Sequence, residues 1–248
     1  MNNVLKRIEH GTIKPWLRRL KPWQYVDYGG IRVHYKGHLD GGGRTSGLDY
    51  LPLFRDFGLP RQPRVFEWCA GPAFIGFALL GYEFCETLCV ADINAEAVQA
   101  CQRTVQENRL ADRVAVYLSN NLDAIPSTER WDLVVGNPPH FPDTSPGQLR
   151  YHDADWQLHR RFFLGVGHFL KPGGMIVLLE NNQGSTANTF REMIEAAGLS
   201  IVFAHGDEGR RTPYPRVYFI GIARRGEKAP EWAVARNSQT FRSADHLV

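Results

Sequence analysis

From Arg64 to Arg225 the chain alternates two patterns of apolar and polar positions. Aliphatic and β-branched runs, "RVFEWCA", "TLCVADI", "VAVYL", "WDLVVGN", "GMIVLLE", "SIVFAH" and "VYFIGIAR", read as seven strands. Between them, "AFIGFALLG", "NAEAVQACQRTVQENRL", "DWQLHRRFFLGVGHFL" and "STANTFREMIEAAG" repeat apolar residues three and four apart, which predicts four helices. "LKPGGM" and "AAGLS" supply the glycine and proline that end a helix and turn it back into a strand. This alternation predicts an α/β fold: a Rossmann-like, seven-stranded, mostly parallel sheet with helices on both faces.

The first 60 residues break the rhythm. "IRVHY" alternates like a short strand, "GHLDGGGRTSG" reads as a flexible loop, and "LDYLPLFRDFG" as a helix leading into the first core strand. After Arg225 the chain is polar and contains Pro230, the pattern of a surface tail. The expected organisation is an N-terminal extension over 1–60 (helix, short strand, substrate lid), a main domain over 61–225 and a polar tail over 226–248.

Composition narrows the class. With 43% hydrophobic and 22% charged residues over 248 positions, the chain is long enough for one large α/β domain or a domain with an appendage, and its composition is that of a folded chain rather than a disordered one. Cys69, Cys85, Cys89 and Cys101 form no CxxC pair and read as small buried side chains in a reducing compartment. "AFIGFALLGY" is too short to span a bilayer and the N-terminus lacks a signal-peptide core, so the expectation is a cytoplasmic protein with no membrane attachment. No metal is expected. A net charge of +3 without a long cationic block announces no large nucleic-acid footprint. The exception is "VLKRIEHGTIKPWLRRLKPW", where Ile13, Trp16, Leu17 and Leu20 recur at helical spacing among Lys14, Arg18, Arg19 and Lys21. Such a basic amphipathic helix packs on its own domain or touches RNA, a membrane surface or an anionic substrate; the first reading is preferred.

Two loops carry the candidate chemistry. "VFEWCAGPAFIG" follows a strand and opens a helix, so at Gly71 the backbone can approach a ligand above the sheet's carboxyl edge. Glu67 ends that strand, and Asp92 ends the next one, 21 residues after Gly71, a spacing suited to ribose hydroxyls. The bland alternative for both acids is capping of the following helices. A nicotinamide fingerprint would have glycines where Cys69 and Phe74 stand, and a P-loop would have a lysine followed by Ser or Thr. Carboxylates repel a pyrophosphate but stabilise an ammonium and a sulfonium, which points to S-adenosyl-L-methionine.

The second loop is "DLVVGNPPHF". Asn137 offers a side-chain carbonyl, and Pro138 and Pro139 stiffen the turn and keep backbone carbonyls without adding amide donors. Such an array suits a planar amide, guanidinium or ring-attached amino group. Two hydrogen bonds aim its nitrogen and stabilise the positive charge that develops on it during alkylation. His140 reads as a stacking or proton-accepting residue or as a loop histidine bonded to backbone, and Phe141 as a stacking residue or a lid anchor.

The order of these motifs, with "VADINAEAVQACQRTVQENRLADRV" and "DWQLHRRFFLGVGHFLKPGGMIVLLE" between and after them, resembles the class I S-adenosylmethionine-dependent methyltransferases, in particular the HemK-like and small-methyltransferase branch. The resemblance implies that Glu67, Ala70 and Gly71 line the methionine side of the cofactor, Asp92 holds the ribose, Ile93 lies against adenine, and Asn121 meets the adenine amino group. It implies that Asn137, Pro138 and Pro139 present the substrate nitrogen, with S-adenosyl-L-homocysteine as product. His140 departs from the usual aromatic residue, and Cys69 and Ala73 replace customary glycines.

The reading favoured by sequence is an N-methyltransferase for a planar nitrogen of a small molecule, an amino acid or a protein side chain. "GHLDGGGRTSGLDYLPLF" and "FPDTSPGQLRYHDADWQLH" flank the expected transfer point as two lid stretches; Asp143, Asp153, Asp155 and Glu180 cluster in sequence around them, and Asp155 and Glu180 with Phe141 are the tentative substrate contacts, suited to a guanidinium. The alternatives are an enzyme acting on an exocyclic amino group of a nucleic-acid base, with Arg18, Arg19, Arg210 and Arg211 as the cationic path, and a non-catalytic cofactor-binding regulator.

Overall fold

The computed structural model describes residues 22–143, 151–206 and 217–234. The basic N-terminal segment, Arg210 and Arg211, the middle of the second lid stretch and the end of the tail lie outside these residues. Among the described residues, no helix is long and apolar enough to cross a membrane.

The chain runs β1 (Trp23–Tyr28), β2 (Ile31–Lys36), α1 (Gly43–Phe57), β3 (Gln62–Trp68), α2 (Phe74–Gly81), β4 (Cys85–Asp92), α3 (Ala95–Glu107), β5 (Val114–Leu118) and β6 (Trp131–Gly136). It continues through α4 (Gln157–Val166), β7 (Leu170–Asn181), α5 (Ala187–Ala196), β8 (Leu199–Gly206), β9 (Val217–Arg224) and the short α6 (Glu231–Val234). Seven strands form one sheet in the order β5-β4-β3-β6-β7-β9-β8, and β1 and β2 form a separate hairpin. Neighbours from β5 to β7 are parallel, while β9 is antiparallel to both β7 and β8. The predicted sheet is present, with all seven strands at their expected places.

Each face of the sheet has its own apolar cluster. Val65, Leu88, Val135 and Val177 point to the face covered by the hairpin, α1, α2 and α3. Phe66, Trp68, Val134 and Ile176 point to the face covered by α4 and α5. Successive strand residues therefore bury opposite ways, which is why these strands are apolar throughout rather than alternating. Helix α2 is buried from Phe74 to Leu80 because the sheet lies on one side and α1 and the hairpin on the other.

Two expectations are corrected. "GHLDGGGRTSG" is not a flexible loop throughout: α1 begins at Gly43. Its glycines serve close packing, since a Cβ at Gly47 would lie 2.6 Å from the Phe74 carbonyl oxygen on α2. In the N-terminal extension, Tyr35, Tyr50 and Phe54 share a core with β3 and α2. Nor is the start of the tail a surface strand of polar chain: Ala233 is buried, and Trp232 packs against Phe54 and Phe57.

Candidate active site

Strand order reverses at β3: the chain steps outward to β4 and β5, then returns to lay β6 on the other side. The crevice above the carboxyl ends of these strands is where open α/β sheets bind ligands. The residues that enter it come from the loop after β3, the end of β4, the loop after β5 and the turn after β6.

The loop after β3 is a strained cradle. Cys69 (φ 52°), Gly71 (φ 54°) and Ala73 (φ 61°) all take the left-handed conformation. For the two non-glycine residues this costs about 1 kcal/mol each, which explains why glycine is customary at both. The loop is pinned nonetheless. Ala70 N–H donates to the Ala91 carbonyl (3.0 Å), Gly71 N–H to Asp92 Oδ2 (2.7 Å), and the Cys101 thiol to the Gly71 carbonyl (3.3 Å). Of the four cysteines, Cys69 is only half-buried; the other three are buried as expected. Above Gly71 a Cβ would meet nothing within 4 Å, so the cradle is open there.

Asp92 ends β4 partly buried and accepts a second amide, Asn94 N–H at 2.8 Å on Oδ1. Burial raises its carboxyl above the usual range, although the amides of Asn94, Gly71 and Ile93 pull it back. Beside it, Ile93 is 68% exposed and Leu118, its neighbour at the end of β5, is 54% exposed. Two exposed aliphatic side chains thus stand at the carboxyl ends of the neighbouring strands β4 and β5. Asn121 is buried with φ 59°; its Nδ2 donates to the Leu158 carbonyl (3.0 Å), and its enclosed Oδ1 has no partner among the described residues.

Glu67 behaves differently from the other acid. It is 2% exposed, and its Oε2 accepts Gly76 N–H at 2.6 Å, in the first turn of α2. The side chain is thus a buried helix cap rather than an open ligand contact, with its carboxyl pushed by burial up to about 8.

After β6, Gly136 is held by Tyr50. The Tyr50 hydroxyl lies 2.8 Å from the Gly136 carbonyl and 2.9 Å from that of Val177, and it accepts Gly136 N–H at 3.2 Å. A side chain from α1 therefore fixes the exit of β6 to β7, immediately before Asn137. Sequence reasoning missed Tyr50, whose only local signal was its place on the apolar stripe of α1. Pro138 and Pro139 are buried, Asn137, His140 and Phe141 half-buried. His140 and Phe141 N–H groups both donate to the Tyr151 carbonyl (3.0 Å), and the Phe141 ring lies 5.7 Å from that of His152. Phe141 thus joins the turn to the segment that begins at Tyr151.

The four acids expected to receive a cation do not form a receptor. Asp143 pairs with His152 (2.6 Å), Asp155 is exposed with φ 51°, and Asp153 and Glu180 are buried against His159. Proximity in sequence did not become proximity around an open pocket. His159 was overlooked, yet it occupies the same helical stripe as Phe162, Phe163 and Val166, all core positions of α4. Its Nδ1 lies 2.6 Å from Asp153 Oδ2 and its Nε2 3.1 Å from Glu180 Oε1.

Both ring nitrogens face carboxylates, so both must donate and the ring is an imidazolium. Burial opposes that charge, and the attraction of Glu180 and Asp153 outweighs it, raising His159 to about 9. Burial likewise opposes the carboxylate charges, and His159 more than offsets it, so both acids are lowered. The stability from His159 is complete below pH 6.5 and lost as pH rises through about 9; that from the acids is lost as pH falls below their ordinary values. Urea unfolding of the wild type between pH 6.5 and 9.5 is expected to show a loss on the order of 3 kcal/mol from His159. The double variant Asp153→Asn/Glu180→Gln lacks this part of the loss; equal losses in both proteins contradict the assignment. Glu67 adds a smaller fall up to pH 8 that both proteins share.

A family model described as the methyltransferase small domain matches residues 53–200. Among solved structures, the T. thermophilus 16S rRNA N2 G1207 methyltransferase RsmC, in complex with AdoMet and guanosine, is similar with a TM-score of 0.55 at 16% identity, over 80% of this chain and 50% of that one. M. jannaschii TYW2 in complex with AdoMet gives 0.56 at 14% identity, over 82% and 86%. The M. jannaschii tRNA m1G37 methyltransferase gives 0.50 at 13%, over 82% and 56%. The chain thus spans half the length of the ribosomal RNA enzyme, and at these identities the likeness is one of fold.

Proposed function

The chain belongs to the methyltransferase small domain family, and on that premise we propose that it is an S-adenosylmethionine-dependent enzyme that methylates an amino nitrogen of a base in RNA. One observation carries the reading. The open cradle at Gly71, the acid Asp92 with exposed Ile93, and the rigid Asn137–Pro138–Pro139 turn all come to the carboxyl ends of β3, β4 and β6, where strand order reverses.

The residues present fit the cofactor. Asp92 accepts the ribose hydroxyls, Ile93 and Leu118 flank the adenine, and the partnerless Oδ1 of Asn121 accepts its amino group. Ala70 and Gly71 leave room for the methionine portion, while Glu67 contributes by capping α2. When bound, S-adenosylmethionine supplies an electrophilic methyl group. Asn137 and the proline-stiffened carbonyl beside it accept the N–H groups of the substrate nitrogen and hold its lone pair on line. As the nitrogen becomes cationic, those oxygens stabilise it without reorganising.

Two considerations move the substrate from a small molecule to RNA. The acids that favoured a guanidinium are paired with histidines or lie at the surface. Structurally similar proteins act on guanine in ribosomal and transfer RNA, and one of them is named for the exocyclic N2 nitrogen. A glutamine amide, the substrate type of the HemK-like branch, is the second reading and rests on the Asn-Pro-Pro turn alone. Incubation with methyl-labelled S-adenosylmethionine and separated RNA, DNA, protein and small-molecule fractions decides between them. Label is expected in RNA, in an N-methylated nucleoside after digestion. Label confined to protein or small molecules overturns the proposal, and no transfer to any fraction favours a binding protein without turnover.

A further inference from the structure

At the reaction turn, two enclosed polar atoms face one another without another partner. His140 Nδ1 and Glu180 Oε2 are both buried, neither has a hydrogen bond among the described residues, and they lie 3.5 Å apart. That distance is longer than an ordinary hydrogen bond and shortens readily if a proton sits between them. An unsatisfied buried pair is costly, so the proton belongs on Nδ1.

The rest of the carboxylate is immobilised from behind. Glu180 Oε1 meets His159 Nε2, and His159 Nδ1 meets Asp153 Oδ2, which also accepts the His159 backbone amide at 3.0 Å. The His159 ring stacks on Phe190 (4.8 Å between centroids) and is edge-on to Trp68 and Trp156, which keeps the chain of groups dry. From the loop after β7, Gly184 presses on the turn: a Cβ there would lie 1.9 Å from the His140 carbonyl oxygen. His140 is therefore fixed through its backbone, with Nδ1 turned toward the Glu180 carboxylate. Its side chain keeps 16% exposure, and Nδ1 but not Nε2 is among the enclosed atoms without a partner.

We propose that Glu180, held by His159 and Asp153, fixes His140 as its Nδ1–H tautomer, so that Nε2 takes the proton released by the methylated substrate nitrogen. The step balances. The N–H bond pair returns to nitrogen as its lone pair, the proton bonds to the Nε2 lone pair, and positive charge passes from the substrate to the imidazole. Charge counting supports it, because Asp153 and Glu180 with the His159 imidazolium carry a net negative charge, which a second imidazolium neutralises. The hydroxyl of Tyr218 is also electrostatically coupled to Glu180, but it bonds Ser185 at 2.9 Å and stays neutral because burial raises it. His140 is the catalytic residue; Glu180, His159 and Asp153 are positioning residues. The logic is that of a carboxylate that sets a histidine tautomer.

This inference rests on the methyltransferase reading above, and its test has an arm that needs no substrate. Nitrogen-15 NMR of the histidine rings in the full chain is expected to show the Nδ1–H tautomer for His140 and protons on both nitrogens of His159. In Glu180→Gln the His140 signals are expected to move toward the Nε2–H form common in water. A wild-type His140 protonated at Nε2 overturns the proposal, whether or not the variant folds. The second arm uses the RNA fraction labelled by the wild type. His140→Gln is expected to lower kcat at least about tenfold with little change in KM, and to flatten the pH-rate profile. A rate loss with the profile unchanged means a structural role and overturns the base assignment. Absence of label in RNA sinks the substrate reading only, and leaves the tautomer result to stand or fall by itself.

Discussion

Replacing Asn137 by alanine is expected to lower methyl transfer by at least about tenfold and up to about 1000-fold, the range found when one pre-aimed polar group is lost from a transition state. Cofactor affinity should change by less than about twofold. The size of the effect follows from how firmly the residue is held. Gly136 before it is tied to Tyr50, Pro138 and Pro139 after it are buried, and the adjoining strands β3 and β7 are paired on either side of β6. An amide in that position needs no reorganisation when charge develops on the substrate nitrogen. Alanine keeps the turn but leaves water to do the same work, with its dipoles free. Single-turnover labelling gives the rate and calorimetry the affinity; an unchanged rate removes the turn from the mechanism.

The second large effect is expected at Asp92. Its two oxygens already accept Gly71 N–H and Asn94 N–H, so the carboxylate sets the cradle and, in the proposed function, also presents charge to a ribose. Asp92→Ala should weaken S-adenosylmethionine binding by about 100-fold or more, since hydrogen bonds to a charged group contribute about 1.5–3 kcal/mol each. The variant should also lose stability, because the amides of Gly71 in the cradle and Asn94 before α3 lose their acceptor. Asp92→Asn keeps an acceptor for only one of the two amides and loses the charge, so affinity falls as in Asp92→Ala while the loss of melting temperature is smaller. A dissociation constant unaltered in both variants refutes the ribose assignment.

Much of the sheet was legible because its strands are buried on both faces, which writes them as aliphatic runs with little ambiguity. The hairpin was half legible. "IRVHY" alternates cleanly, whereas its partner "WQYVDY" mixes an outward Trp23, Tyr25 and Asp27 with an inward Tyr28, and follows a basic stretch that hides its start. The start of α1 was misread because Gly43 and Gly47 answer to Phe74, a residue of another helix, and nothing local announces that contact.

The site divides along the same line. Gly71, Asp92 and Asn137 sit at strand ends that the apolar pattern locates, so their shared edge could be foreseen. The fate of the acids could not, because Asp153, His159 and Glu180 meet only when α4 folds back across the end of β7. Their separations in sequence, 6 and 21 residues, carry no sign of it.

The most direct test of the account is a crystal structure of the chain grown with S-adenosylhomocysteine. The expected result has the ribose hydroxyls on the Asp92 carboxylate, the adenine between Ile93 and Leu118, and the sulfur directed toward the side-chain carbonyl of Asn137. A ligand bound away from the β3 and β4 ends, or a sulfur shielded from Asn137, contradicts it.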